Sequence, residues 1–223
     1  MLRTRMPFLF LVLALTATSF AQAPATPHQH DKFVTQPTDI SREFAAFRVS
    51  FDGKDDEVAL GVPEWVAYEL KAMTKKPKSN SRPSRWSTDE ALHAERIAPN
   101  DSSYRNSGYS RGHMCMKSHA SRMGPAADRE THTVLNACPQ MQSMNAGVWL
   151  AIENLTGTWA NEYGAVWIVT GPIFTSDDYK WIGDRDEVPV AVPDAFFKIV
   201  ARQKGDVVEA LAFIVPMLSL IHI

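Results

Sequence analysis

Cysteine is nearly missing from this chain: Cys115 and Cys138 are the only two in 223 residues. Two thiols cannot build a disulfide scaffold, and their spacing is not that of a paired-cysteine zinc site. Long apolar runs are lacking as well. The run from Phe8 to Leu15 is shorter than the roughly 20 residues a membrane span needs, and nothing after it comes closer. It follows Arg3 and Arg5 and precedes Ala21 and Ala23, so residues 1–23 read as a secretory signal peptide and the mature chain as a soluble, secreted or periplasmic protein with no membrane attachment. An excess of positive charge is the third absence. Lys and Arg number 23 against 25 Asp and Glu, a formal charge of −2, and loss of Arg3 and Arg5 with the leader moves it to −4. A protein that binds a polyanion is often basic overall, so any such function here has to rest on local positive charge.

What is present fits one well-buried domain, since 45% of the residues are hydrophobic and the length does not call for two domains. Residues 24–43, with Pro24, Pro27 and Pro37 among small and polar residues, read as a flexible lead-in, and His28 and His30 as part of its exposed polar surface. The domain is expected over 44–216. Phe47, Val49 and Phe51 alternate with polar neighbours as in a half-buried strand. Pro63 to Met73 fits strand or helix on pattern alone. Met116 to Thr131, with Gly124 and Pro125, reads as a loop with at most a short helix, and His119 and His132 as ordinary surface or packing residues. Ala165 to Thr170 is a strand that Gly171-Pro172 should end, and Ala195 to Arg202 pairs with Val207 to Val215 across a turn at 204–206. Strands this long need cover on at least one face, so the expected class is α/β in the α+β sense, a central and mostly antiparallel sheet flanked by helices. The uncharged run Met217 to Ile223 reads as a non-native or truncated tail.

Local positive charge is there. Lys71, Lys75, Lys76, Lys78, Arg82 and Arg85 cluster with no acidic residue among them, broken by prolines and serines. This is an exposed loop that either is merely solvated or meets an anionic substrate through Lys75, Lys76, Arg82 and Arg85.

Chemistry concentrates between 109 and 153. In Tyr109-Ser110-Arg111-Gly112-His113-Met114 a cation and an imidazole are two residues apart, so on a strand they project from one face. Gly112 between them leaves room for close approach. Further on, Ser143 can cap a helix in which Asn145, Trp149 and Glu153 lie within about 80° of one another. An amide oxygen and a carboxylate then share a face. Mg²⁺ accepts one or two hard protein oxygens and keeps much of its water, so Asn145 can hold it while Glu153 orients that water. A neutral His113 can take a proton from an attacking water, and Arg111 can grip a phosphate in forked geometry. These are the parts needed to hydrolyse a phosphodiester.

At these residues the chain resembles the DNA/RNA non-specific endonucleases with a ββα-metal site. The R-G-H-M run at Arg111 to Met114 matches their signature, Asn136-Ala137-Cys138-Pro139-Gln140 is similar to their N-x-x-P-Q element, and Asn145 through Trp149 to Glu153 is similar to their N-x-x-x-W-x-x-x-E helix. The resemblance implies His113 as general base, Asn145 as the sole direct ligand of Mg²⁺ or Mn²⁺, Glu153 as orienter of the metal's water, Arg111 and Asn136 as phosphate or site-shaping contacts, and DNA and RNA as substrates cut to 5′-phosphate ends with little sequence preference. It also favours strand for Pro63 to Met73. Ser110 stands where the signature has Asp, and Glu69 where some relatives carry a substrate-binding arginine. In an exported protein Cys115 and Cys138 are a disulfide candidate that would clamp the His113 strand to the N-x-x-P-Q element; two separate buried thiols are the alternative. Two rival functions remain, a non-catalytic secreted nucleic-acid binder and a metal-assisted hydrolase of other phosphodiesters. Oligomeric state is not legible in the sequence.

Overall fold

The computed structural model describes residues 28–34, 40–53, 58–75, 77 and 80–217. The signal-peptide reading of 1–23, Lys76 and residues 218–223 of the tail lie outside them. Ten strands run along the described chain: β1 (Ile40–Glu43), β2 (Arg48–Phe51), β3 (Pro63–Lys71), β4 (Ser110–His113), β5 (Ala137–Gln140), β6 (Ala165–Ile173), β7 (Lys180–Ile182), β8 (Val190–Val192), β9 (Ala195–Lys204) and β10 (Val207–Pro216). Six of them form one sheet in the order β1-β2-β3-β6-β9-β10, while β4 pairs with β5 and β7 with β8. Every one of these pairings is antiparallel.

The period-2 pattern explains which face of the sheet is filled. Phe47, Val49 and Phe51 are fully buried, as are Tyr68, Ile168 and Phe196, and together with Leu70, Val166 and Trp149 they form the main core. The short helices α1 (Glu90–Ala94), α2 (Lys117–Ala120), α3 (Pro125–Glu130) and α4 (Gln142–Met144) and the longer α5 (Leu150–Tyr163) supply cover, with α5 lying on β3 and β6. The mixed architecture is the expected one.

Three expectations are corrected. The lead-in is not free: β1 pairs with β2 from Ile40↔Phe51 to Glu43↔Arg48, and His28 to Val34 docks on the sheet. There the Trp167 indole donates to Gln29 O at 3.1 Å, and buried His30 accepts from the Glu69 N–H at 3.2 Å and donates from Nε2 to Ala45 O at 3.2 Å. The ordered domain therefore begins before Phe44. The segment 116–131 is largely helical, because Gly124 takes φ +116 between a short 3₁₀ turn and α3, and Pro125 sits at the N-terminus of α3, where its missing N–H costs nothing. Finally, β6 runs through Gly171-Pro172 to Ile173. Its pairing with β3 ends at Val66↔Thr170, so Pro172 needs only its neighbour β9. A Cβ at Gly171 would lie 2.3 Å from Glu64 O; glycine lets the two backbones approach.

Candidate active site

Two strands and a helix carry the site. In the β4–β5 pair Arg111 lies opposite Pro139, Gly112 opposite Cys138 and His113 opposite Ala137, so Arg111 and His113 do share a face, and both line a cleft of ≈ 820 Å³. The space left by Gly112 is taken by protein, since a Cβ there would sit 2.0 Å from Gln140 Oε1. Glycine is required because the Gln140 side chain, fully buried, lies across the strand at that point.

The helix begins at Gln142, with Met141 at the N-cap making no side-chain bond, so Ser143 lies inside the helix and does not cap it. Ser110 contributes instead: its hydroxyl donates to Gln142 Oε1 at 2.5 Å, tying the start of β4 to the start of the helix. Residues Asn145–Trp149 form a π-turn with non-helical angles at Gly147. A π-turn is wider than an α-turn, so the expected common face splits. Asn145 and Glu153 line the cleft, while Trp149 is fully buried and its indole donates to His113 O at 3.4 Å.

Around His113 the structure gathers rings and cations from distant parts of the chain. Trp86 packs on the His113 ring at 4.5 Å between centroids and His132 meets it edge-on at 5.1 Å. Nε2 of His113 is buried without a hydrogen-bond partner. Burial first, then the nearby charges of His132, Arg82, Lys117 and Arg111, lower its pKa to about 3, so the imidazole is neutral at ordinary pH, the form a general base requires. Arg111 pairs with Asp101 and has its guanidinium 5.6 Å from the Trp86 ring centre. The same Asp101 oxygen accepts from the Trp86 N–H at 3.1 Å, so one carboxylate fixes both neighbours of the base.

Of the four expected substrate cations, Arg82 lines the cleft. Lys75 and Arg85 are exposed but do not line it. Lys117 also lines it, held by Asp128 at 3.2 Å and Asn80 O at 2.7 Å. Of the two roles expected of Asn136, phosphate contact or site shaping, its surroundings supply the second. It is fully buried, accepts from the Cys115 N–H at 2.7 Å and donates to Cys115 O and Thr131 O, both at 3.0 Å. Every amide atom is thus occupied in fixing the backbone that follows His113. Glu69 sits on β3 next to Tyr68, hence on the opposite face of the sheet, where it meets His28 at 3.2 Å and Lys71 at 3.6 Å. That departure leaves the cleft untouched.

The disulfide candidate is also corrected: Cys115 and Cys138 are both buried free thiols. They face different surroundings, Cys115 feeling Lys198 and Glu153 and Cys138 neighbouring Tyr104. Burial pushes both thiols up, which leaves them protonated and inert.

Asn145 and Glu153 fit a divalent cation. Among the described residues no cluster of three or more His, Cys, Asp or Glu could hold a metal, so an ion here would be held by the Asn145 amide oxygen with Glu153 beside it and water completing its shell, the donor set Mg²⁺ tolerates. Glu153 is 5% exposed with Oε1 lacking a hydrogen-bond partner. Burial raises its pKa to about 7, while Lys198 and then the Trp149 side chain pull it back down.

Neither His132, Lys117 nor Trp86 was signalled by sequence, because only folding brings Trp86 and Lys117 to the cleft and His132 against His113. Lys198 did leave a sign: it occupies an inward position between Phe196 and Val200, both buried. His119, read as an ordinary residue, is 4% exposed. Its Nε2 donates to Glu153 O at 3.1 Å, so Nδ1 accepts from the Tyr68 hydroxyl at 3.1 Å.

That bond pattern makes acid a destabilising condition. Burial lowers the His119 pKa to about 3, against about 6.5 in the unfolded chain. Between those values only the unfolded state takes up the proton, so stability present above pH 6.5 is lost as pH falls toward 3. Going from pH 7.5 to 5.5 should cost about 1.4 kcal/mol through His119 alone, with a further loss through His113. Urea midpoints at the two pH values check this; equal midpoints would refute it.

A family model described as DNA/RNA non-specific endonuclease matches residues 25–220. Among curated proteins, the mitochondrial nuclease EXOG of Danio rerio is 31% identical over 166 residues, 69% of this chain and 47% of that one. Mitochondrial endonuclease G of Homo sapiens is 28% identical over 162 residues, 68% of this chain and 53% of that one. The chain thus spans about half the length of these relatives. A crystal structure of an EndoG/EndoGI complex superposes with a TM-score of 0.73 at 26% identity, covering 85% of this chain and 79% of that one.

Proposed function

Because the chain belongs to the DNA/RNA non-specific endonuclease family, we propose that it hydrolyses phosphodiester bonds within DNA and RNA, with little sequence preference, in a divalent-metal-dependent reaction that leaves 5′-phosphate ends. One observation carries this reading: a neutral, half-buried His113 lines the same cleft as Arg82, Arg111, Lys117, Asn145 and Glu153. A neutral imidazole, three cations and an amide and carboxylate in one space support the reading, since ordinary packing does not require them together.

Each residue then has a task. Arg111, steadied by Asp101 and Trp86, and Arg82 attract and orient the scissile phosphate. His113 takes the proton of the attacking water, and its backbone is kept in place by Trp149 at one side and by the Asn136 clamp on the next residues. Asn145 would hold the cation, Mg²⁺ or Mn²⁺, with Glu153 ordering its water; when bound the ion supplies Lewis-acid stabilisation of the charge building on phosphate and leaving oxygen. The grip is on phosphate, which is common to all sequences and to both nucleic acids, and that supports low sequence preference.

The matched relatives have mitochondrial in their names. Here Arg3, Arg5 and the apolar run from Phe8 to Leu15 support export to the periplasm or medium, which mass-spectrometric identification of a mature N-terminus near Gln22 or Pro24 would bear out.

The test is an agarose assay of the purified chain with supercoiled plasmid and, separately, structured RNA. Both should be cut in Mg²⁺ or Mn²⁺ and left intact in EDTA. Retention of DNA without cutting would favour a binding protein, and cleavage confined to small diesters a different hydrolase.

A further inference from the structure

Lys198 is the one fully buried lysine among the described residues, and the reaction as derived so far gives it no task. It projects from β9 in the inward register with Phe196 and Val200, and its Nζ stands 4.0 Å from Glu153 Oε1 and 4.2 Å from the centre of the Trp149 ring. Nζ makes no hydrogen bond, and neither does Glu153 Oε1. The separation exceeds the 2.7–2.9 Å of a direct charge-assisted bond, so the ammonium acts on the carboxylate through its field and leaves that oxygen without a protein donor.

The cost of this arrangement calls for a reason. An isolated charge buried in an apolar interior is expensive, and a pair regains that cost only in part. Methionine or leucine at 198, packed against Trp149 and Phe196, would suit a purely structural need as well or better. The indole face steadies a cation above it, which fixes Nζ beneath α5 at the level of Glu153. Glu153 is in turn two helical turns from Asn145 on the cleft-facing side.

We propose that Lys198 is a positioning residue of the site, its Nζ, seated over the Trp149 ring, setting the orientation in which the Glu153 carboxylate faces the cleft that Asn145 shares. Without that anchor the carboxylate has no fixed partner behind it and is free to turn away from the water it would organise about a divalent ion. The inference rests on the metal-dependent reading of the cleft.

The experiment compares the full chain with K198M, K198R, E153Q and the E153Q/K198M double variant. Mn²⁺ affinity is measured by calorimetry without nucleic acid, and kcat and KM on plasmid. Removing a partner that orients a metal-holding group typically costs 10–100-fold, so K198M should lose roughly that factor in both Mn²⁺ affinity and kcat, with KM nearly unchanged. K198R should recover part of the loss. Added to E153Q, K198M should cost nothing further, because the carboxylate it orients is already absent. Wild-type affinity and kcat in folded K198M would overturn the proposal, as would an equal loss in the E153Q background. Should K198M not fold, K198Q is read in the same way. A wild-type chain that binds Mn²⁺ but cuts nothing would defeat the functional reading while the Mn²⁺ affinities still decide the role of Lys198; one that does neither defeats both.

Discussion

His113→Ala is expected to lower plasmid cleavage by roughly 10²–10⁴-fold, the usual worth of a well-placed general base, while the protein still folds and still binds Mn²⁺. The ring is wedged between Trp86 and His132, so its loss opens a small space, but the β4–β5 ladder is a backbone structure and Arg111 keeps its own partner in Asp101. KM should therefore move little, since phosphate is gripped by groups that remain. The pKa of about 3 adds a second signature. A free imidazole would protonate near pH 6.5, whereas this one stays neutral well below that, so loss of the base form should not limit kcat/KM at pH 6. Single-turnover rates of wild type and variant across pH 5–8 decide the matter. A near-normal rate in His113→Ala would remove it from the reaction.

Asn145→Ala is expected to cost as much or more, for a different reason. Asn145 is half-buried on the π-turn, at the cleft, and among the described residues its side chain has no hydrogen-bond partner, so truncation should leave the melting temperature unchanged. What disappears is the amide oxygen that would hold the ion. With Glu153 alone beside it, the divalent-cation concentration for half-maximal activity should rise at least about tenfold, and excess Mg²⁺ or Mn²⁺ should restore part of the rate. The dependence on metal separates the two variants, since no amount of cation should rescue His113→Ala. An Asn145→Ala protein with the wild-type metal requirement would show that the ion is held elsewhere.

Local chemistry made much of this molecule readable in advance. Arg111 and His113 on one strand face, the helix carrying Asn145 and Glu153, and the hairpin of Ala195–Lys204 with Val207–Pro216 are properties of neighbouring residues, set by the two-residue period of strands, the near-four-residue period of helices and the turn at Gly205, where φ is +60. Short-range reasoning also had definite failures. It put a cap at Ser143 and a common face through Trp149, because it assumed a regular α-helix where a π-turn at Asn145–Trp149 shifts the register. It ended β6 at Gly171-Pro172, because it could not know that β3 pairs with β6 only as far as Val66↔Thr170.

What the amino-acid sequence determined by itself is the inventory of the site and the elements that bear it, since a strand or a helix turn fixes the direction of side chains two or four residues apart. Only the tertiary structure decided who meets whom. It brought Trp86, Asp101 and His132 around the base and turned Arg82 rather than Lys75 or Arg85 into the cleft. It buried Asn136 as a clamp, sent Cys115 and Cys138 into separate surroundings and set Lys198 beneath Glu153. Those choices depend on desolvation and on contacts between residues tens of positions apart, which no spacing along the chain encodes.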